Sequence, residues 1–412
     1  MRSPVLGYRC TLCGAEFSYT DAEMLTCPHC GEKGILDILY DYRHISSYFT
    51  KESLKNNPDT SMWRFSPLMP LKERDFSPFL RVGGSPFYRS NRLGDELGLK
   101  ALYIKDDGIN PTASLKDRAS GVAVAKAIEL GYDTIACSST GNAASSCAGN
   151  AARMGLKTVI FVPERAPEGK LAQLLVFGAR VICVKGDYRA TFELSRAAID
   201  KYGWYNRNAG INPVMVEGKK TVALEIAEQL SWNVTDWVAV SVGDGCTIGG
   251  VYKGFYDLYE LGFIDRIPKV LGVQSTGCMP FVNAANSGRE IEPTEENTIA
   301  DSIAVGVPRN PVKALRAVSE SHGAWLAVSD EQILDAMRVL GRNEGVFGEP
   351  AGVTATAGVI EAAKTGVIKG NETVTVISTG SGLKDVKNAL RAAGKPFFCA
   401  PDLGELEKSG IL

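Results

Sequence analysis

From about residue 100 to residue 379 short, apolar, β-rich runs alternate with helical stretches, and this alternation limits the fold more than any other feature of the chain. The runs are "ALYIK", "TIACSS", "TVIFVP", "RVICVK", "WVAVSVG", "KVLGVQS" and "TVTVIST", and the helical stretches between them often end at glycine, as at Gly131, Gly155 and Gly178. Strands that are apolar at every position need cover on both faces, which parallel sheets flanked by helices supply. The expected fold class is therefore α/β with open parallel sheets, two of them. The 412 residues hold no internal repeat, low-complexity tract or Pro/Gly linker, so a second unit is expected to be inserted in the first rather than strung after it.

Charge and hydropathy exclude several functions. Lys plus Arg number 45 against 47 for Asp plus Glu, without long runs of one sign, so nothing favours nucleic acid or an anionic membrane as partner. No apolar stretch approaches the ~18 residues of a spanning helix. The start "MRSPVLGYRC" lacks the apolar core of a signal peptide, and a cytoplasmic protein is expected.

The ten cysteines fall into two sets. Cys137, Cys147, Cys183, Cys246, Cys278 and Cys399 are scattered through apolar or glycine-rich segments, where a free thiol behaves as a small hydrophobe. Cys10, Cys13, Cys27 and Cys30 form C-x2-C-x13-C-x2-C, two knuckles suited to a closed tetrahedral thiolate site for Zn²⁺. A structural zinc that staples residues 1–40 and takes no part in chemistry is the expectation, with His29 a bystander. After this ribbon, residues 35–80 mix aromatics, Pro and polar residues without a period, as an arm wrapped over a neighbouring surface would.

In open α/β sheets ligands sit beyond the carboxyl ends of the strands. Three loops there are rich in Gly, Ser, Thr and Asn. "CSSTGNAAS" offers Ser139, Thr140, Gly141 and Asn142 at a helix start, a seat for a carboxylate. "SVGDGCTIGG" offers Gly243, Gly245, Cys246 and Thr247 as a phosphate cradle, though Asp244 is odd beside a phosphate and the glycine spacing argues against NAD. "ISTGSGLKD" offers the neutral hydroxyls Ser378, Thr379 and Ser381. Ahead of them "NPTASLKDRAS" places a lone lysine, Lys116, at the mouth of an apolar helix. By itself Lys116 reads as a salt-bridged cap or as a reactive amine; an anion cradle, a carboxylate seat and a neutral hydroxyl together suit pyridoxal 5'-phosphate with Lys116 as its Schiff-base lysine.

Taken in order, "NPTASLKDR", "STGN", "INPVMVEGKKT", "VGDGCTIGG", "GVFGEPAG" and "TGSGLKD" resemble the fold type II (β-family) pyridoxal-phosphate enzymes, and among them the threonine synthase family. The cysteine-rich head followed by "MWRFSPLMPL" is similar to family members of archaea and bacteria that begin with a zinc ribbon. The resemblance implies a lyase acting on a small amino acid, with Lys116 binding the cofactor and then moving protons. Asn142 would meet the ring hydroxyl, and Ser139, Thr140, Asn142 and Ala143 the substrate carboxylate. Gly243, Asp244, Gly245, Cys246 and Thr247 would surround the cofactor phosphate, with Thr379 at the pyridine nitrogen. It also implies a homodimer and a small domain, residues 120–215, inserted in a large one made of 41–119 and 216–412. Asp117 and Arg118 read as a structural pair.

Departures from the family pattern bear on the substrate. Ala113 and Leu115 stand where the family has Gly and Phe, and Ala143 where it has Thr. Ala209, Gly210 and Met215 replace an Asn, a Ser and an Arg that hold the substrate phosphate, and Ser381 replaces a His. Arg207 or Lys219 could substitute from nearby. The expected activity is conversion of O-phosphohomoserine to threonine. The alternatives are a paralogue with another substrate, such as a serine/threonine dehydratase-type ammonia-lyase or a β-replacement synthase, and an inactive cofactor-binding regulatory protein.

Overall fold

The computed structural model describes residues 4–19, 24–164, 168–186 and 188–410; the side chains of 168–170, 188 and 189 stand outside that description. Three sheets organise these residues. At the N-terminus β1 (Val5–Cys10) pairs antiparallel with β2 (Glu16–Ser18) and β3 (Leu36–Tyr40). A larger sheet begins with β4 (Phe87–Ser90) and β5 (Ala101–Asp106). The chain then leaves it to build a four-stranded sheet from β6 (Thr134–Ser138), β7 (Lys157–Pro163), β8 (Arg180–Val184) and β9 (Tyr205–Asn206). It returns with β10 (Trp237–Ser241), β11 (Lys269–Ser275), β12 (Ala324–Val328) and β13 (Thr373–Ser378). The strand orders are β12-β11-β10-β13-β5-β4 and β8-β7-β6-β9.

Every pairing in these two sheets is parallel except β4 on β5. The central strands β6 and β10 are buried at all five positions, which explains why their sequences carry no alternation. Three strands go beyond the seven apolar runs: β4, a partly exposed edge; β9, two residues long; and β12, half-buried along most of its length.

The helix Lys116–Glu129 lies between packed layers as its sequence requires, buried from Asp117 through Ala127. On one side it meets the arm, whose turn at Met62–Leu68 buries Met62, Trp63, Phe65 and Leu68. On another it meets the helix Val214–Lys219 so closely that a Cβ on Gly218 would stand 2.4 Å from the Arg118 carbonyl oxygen. Asp117 and Arg118 are both structural, but they are not a pair, because consecutive helix residues face different directions. Arg118 bonds to Asp107 at 2.6 Å and to Glu225 at 2.7 Å, and Glu225 also takes Lys105 at 2.8 Å. Asp117 instead accepts from the Thr112 N–H, the Thr112 hydroxyl and Asn150, each at 2.8 Å, which pins the loop before Lys116 to the helix Asn142–Arg153.

The N-terminal sheet is seated on the rest of the chain by charged and polar contacts. Lys313 donates to the Leu36 carbonyl at 2.6 Å, and Asp37 pairs with Lys313 at 3.2 Å and Arg316 at 2.7 Å. Tyr40 donates to Glu217 at 2.7 Å and Tyr42 to Asp257 at 2.6 Å. Burial would raise the Asp37 carboxyl, but Lys313 and Arg316 hold it down at about 2. Of the six scattered cysteines, Cys137, Cys147, Cys246 and Cys278 are buried as small hydrophobes; Cys183 and Cys399 are exposed, against the expectation for the set. Among the described residues no helix is long and apolar enough to cross a membrane.

Candidate active site

Lys116 is the first residue of its helix, and the loop ahead of it is held against the end of β13: the Leu115 N–H donates to the Thr379 carbonyl at 2.9 Å and the Ser381 N–H to the Ala113 carbonyl at 3.1 Å. That puts Lys116 and Thr379, far apart in sequence, at the carboxyl edge of one sheet. The amine's pKa is lowered to about 8 by burial first, then by the nearby Lys219 and Arg207 against an opposing pull from Glu349. An amine near 8 has an appreciable neutral fraction at physiological pH and can attack a carbonyl.

The cradle follows β10. Gly245 sits at φ +87° and ends the turn into the helix Cys246–Glu260; a Cβ there would approach the Asn310 carbonyl oxygen to 2.5 Å, so glycine is required on both counts. No side chain caps the first N–H groups of this 15-residue helix, which leaves them directed at an anion. Asp244 has both carboxylate oxygens engaged, Oδ2 accepting from the Cys246 thiol at 3.7 Å. Its Oδ1 accepts the Arg309 N–H at 2.7 Å and its own carbonyl accepts the Asn310 N–H at 3.0 Å, which resolves the oddity of a carboxylate in this loop. Cys246 donates to the Ala209 carbonyl at 3.2 Å, so its thiol is structural.

The third loop leaves β6. The Ser139 hydroxyl accepts the Gly141 N–H at 3.2 Å in a tight turn, and the helix Asn142–Arg153 again starts without a side-chain cap. Thr140 and Ala143 are half-buried at this start. Asn142, 6% exposed, donates to Glu349 at 2.6 Å. Thr379 is 8% exposed, and among the described residues its hydroxyl makes no hydrogen bond. The residues present fit pyridoxal phosphate: an amine, an uncapped helix start with close backbone approach, and the hydroxyl of a buried threonine converge from separate segments.

Glu349 was not among the sequence-derived site residues. It is 4% exposed, and burial first, then Asp301, raise its carboxyl to about 7. Its signal lay in "GVFGEPAG", where a charged residue precedes a Pro that opens an apolar helix.

The departures fall into separate places. Leu115 and Met215 are each 0% exposed in the main hydrophobic core, so the first is a packing change and the second cannot bind a ligand. The space beside Gly210 is filled by the stem of Arg309, 2.6 Å from where its Cβ would be. Ala113 lies at φ +66°, a left-handed conformation that disfavours every residue with a Cβ. Ala113→Gly is expected to stabilise the protein by about 0.5–1 kcal/mol, the relief of that strain less the added freedom of glycine in the unfolded chain. A denaturation midpoint that does not rise would show that the surroundings compensate the strain.

At the ribbon, the Sγ atoms of Cys10, Cys13, Cys27 and Cys30 all lie within 4.8 Å of one another, and Cys13 and Cys27 are 3.8 Å apart. Tetrahedral zinc with bonds of about 2.3 Å calls for sulfurs about 3.8 Å apart. The donor set fits a closed metal site, and His29 lies against Phe17, outside it.

Comparison with known proteins agrees with this geometry. Residues 79–380 match the model of the family described as pyridoxal-phosphate dependent enzyme. The chain is 40% identical over 403 residues to the threonine synthase of Methanocaldococcus jannaschii, covering 97% of this chain and 98% of that one. It is 39% identical over 391 residues to the threonine synthase of Methanosarcina acetivorans, covering 94% of each. Among solved structures, the diaminopropionate ammonia lyase of Escherichia coli superposes with a TM-score of 0.66 at 20% identity, over 84% of this chain and 95% of that one, a likeness of fold.

Proposed function

The chain belongs to the threonine synthase family of pyridoxal-phosphate dependent enzymes, and from that premise we propose that it converts O-phosphohomoserine and water to threonine and phosphate. The observation that carries the reading is the convergence of Lys116, the uncapped helix start at Cys246 and the Thr379 hydroxyl at one sheet edge. Bound cofactor supplies an electron sink for negative charge developing at the substrate Cα. Gly243, Gly245, Cys246 and Thr247 hold its phosphate, mainly through backbone N–H groups, and Asn142 meets its ring hydroxyl. The Thr379 hydroxyl would hydrogen-bond the pyridine nitrogen. Because a hydroxyl, unlike a carboxylate, does not enforce protonation there, it favours elimination and replacement over transamination. Ser139, Thr140, Asn142 and Ala143 orient the substrate carboxylate at a helix N-terminus. Lys116 would move protons among the substrate Cα, Cβ and Cγ. Residues 120–215 act as a small domain that closes on the substrate.

A second reading, a paralogue acting on an amino acid without a phosphate, draws support from the burial of Met215 and the filled space beside Gly210. Phosphate release from O-phosphohomoserine separates the two. Release with threonine as product supports the first; negligible release together with keto acid formed from serine or threonine supports the second and sinks the first.

The same reading includes a cytoplasmic homodimer, which the family resemblance implies, and one structural Zn²⁺ on the four ribbon cysteines. The double variant Cys10→Ser, Cys27→Ser is expected to lose its metal, measured by elemental analysis, and to loosen β3 from the core. For each charge-assisted bond then lost at Asp37 or Glu217 the rest of the chain is destabilised by about 1.5–3 kcal/mol. A variant free of metal with an unchanged melting transition would show that the ribbon is an independent appendage.

A further inference from the structure

Residues 36–42, where the N-terminal sheet hands the chain to the arm, bind three helices that are distant in sequence. The Leu36 carbonyl accepts from Lys313 at 2.6 Å, and Asp37 pairs with Lys313 at 3.2 Å and with Arg316 at 2.7 Å, which fixes the helix Pro311–Glu320. The Tyr40 hydroxyl donates at 2.7 Å to Glu217, on the helix Val214–Lys219. The Tyr42 hydroxyl donates at 2.6 Å to Asp257, on the cradle helix Cys246–Glu260 itself. Lys220 closes the network: it pairs with Glu217 and, at 2.6 Å, with Asp257, and its Nζ stands 4.1 Å from the centre of the Tyr40 ring. Tyr40, Glu217, Lys220, Asp257 and Lys313 are each at most 4% exposed. At the other end of the stretch, Leu36 is the register partner of Cys10 on β1, so these bonds are continuous with the four-cysteine cluster.

The same helices wall the cradle. A Cβ on Gly249 would lie 3.0 Å from the Lys313 Cβ, one on Gly250 3.1 Å from the Val216 carbonyl oxygen, and one on Gly254 2.5 Å from the Lys220 carbonyl oxygen. The cradle helix is therefore seated close against its neighbours, and a shift of either neighbour moves its first, uncapped N–H groups. A buried ionic network adds little stability over apolar packing, but its directional bonds fix how the elements that carry it sit against one another. We propose that residues 36–42 are a clasp that positions the cofactor-phosphate cradle, with Tyr40 and Tyr42 as its positioning residues, so that the hold on the cofactor's phosphate depends on an intact cysteine ribbon. The inference rests on the functional reading above, which places that phosphate at the start of the cradle helix, and it gives the N-terminal sheet a part in binding from outside the site.

The test titrates the full chain, stripped of cofactor, with pyridoxal 5'-phosphate and with pyridoxal, and follows the absorption of the bound probe. The two probes share the aldehyde that meets Lys116 and differ only in the phosphate, so the ratio of their affinities reads the cradle alone. The wild type is expected to prefer the phosphorylated probe. In the double variant Tyr40→Phe, Tyr42→Phe, which keeps both rings and so guards against misfolding, that preference should fall about 10-fold or more, the size of one hydrogen bond to a charged group, while pyridoxal binds as in the wild type. Cys10→Ser, Cys27→Ser, which frees β3 from the other end, should lower the preference in the same way. A preference unchanged in either double variant would overturn the proposal. So would equal losses for both probes, which would assign Tyr40 and Tyr42 to the fold at large. A wild type that binds the two probes equally removes the cradle reading and the proposal with it, whereas a phosphate preference that neither variant alters overturns the proposal and leaves that reading standing.

Discussion

Lys116→Ala is expected to lower turnover by about 10³-fold or more, because it removes both the covalent hold on the cofactor and the base that moves substrate protons. The setting of the residue makes the effect specific. Its amine is lowered to about 8, by burial and then by Lys219 and Arg207, so the neutral, nucleophilic form is already accessible at neutral pH. Loading of cofactor into the cofactor-free protein should therefore speed up as pH rises toward about 8 and level off above it. The variant should lose the visible absorption of bound cofactor, and borohydride reduction of the wild type followed by peptide mapping should place the label on Lys116. A label on Lys219, which lies nearby and is also lowered by burial, would refute the assignment.

Arg118→Met is expected to destabilise the protein by about 3–5 kcal/mol, the range for breaking a buried ion pair on one side only. Arg118 is 0% exposed and holds Asp107 through Nε at 2.6 Å and Nη2 at 2.8 Å, and Glu225 through Nη1 at 2.7 Å and Nη2 at 2.9 Å. Without it Asp107 stays buried unpaired, and Glu225 keeps only Lys105. Burial would raise the Glu225 carboxyl, yet Arg118 and Lys105 hold it at about 2, below its ordinary 4.5. A depressed carboxyl contributes stability above about pH 4.5 that disappears as pH falls toward 2, so the wild type should lose stability through that window more steeply than the variant. Denaturant midpoints measured at pH 7 and across the acid range check both points. A loss below about 1 kcal/mol would mean that the network tolerates the gap, which its burial argues against.

Several features were legible from residues alone because each is carried by a short stretch. The cysteine knuckles, the three Gly-, Ser- and Thr-rich loops and Lys116 are local patterns, and the alternation of apolar strands with helices is a property of consecutive residues. Asp117 and Arg118 read correctly as structural, but their partners come from residues 5 to 107 positions away, and adjacency in sequence suggested the wrong pairing. Leu115 and Met215 read as changes at the substrate, whereas both face the hydrophobic core. The partly exposed β4 and β12 and the two-residue β9 carry too weak a pattern to be read before their neighbours are known.

The sequence by itself determined the class of fold, the four-cysteine cluster of the head and the place of Lys116 at the mouth of an apolar helix, because these depend on periodicity and on spacings of a few residues. Only the tertiary structure decided that Asp244 is tied to the Arg309 N–H, that Glu349 meets Asn142, and that Lys219 and Arg207 come near enough to Lys116 to lower its amine. Those facts concern electrostatics among groups from separate strands and helices. The energy of a charge is set by what surrounds it in space, which the order of residues along the chain does not contain.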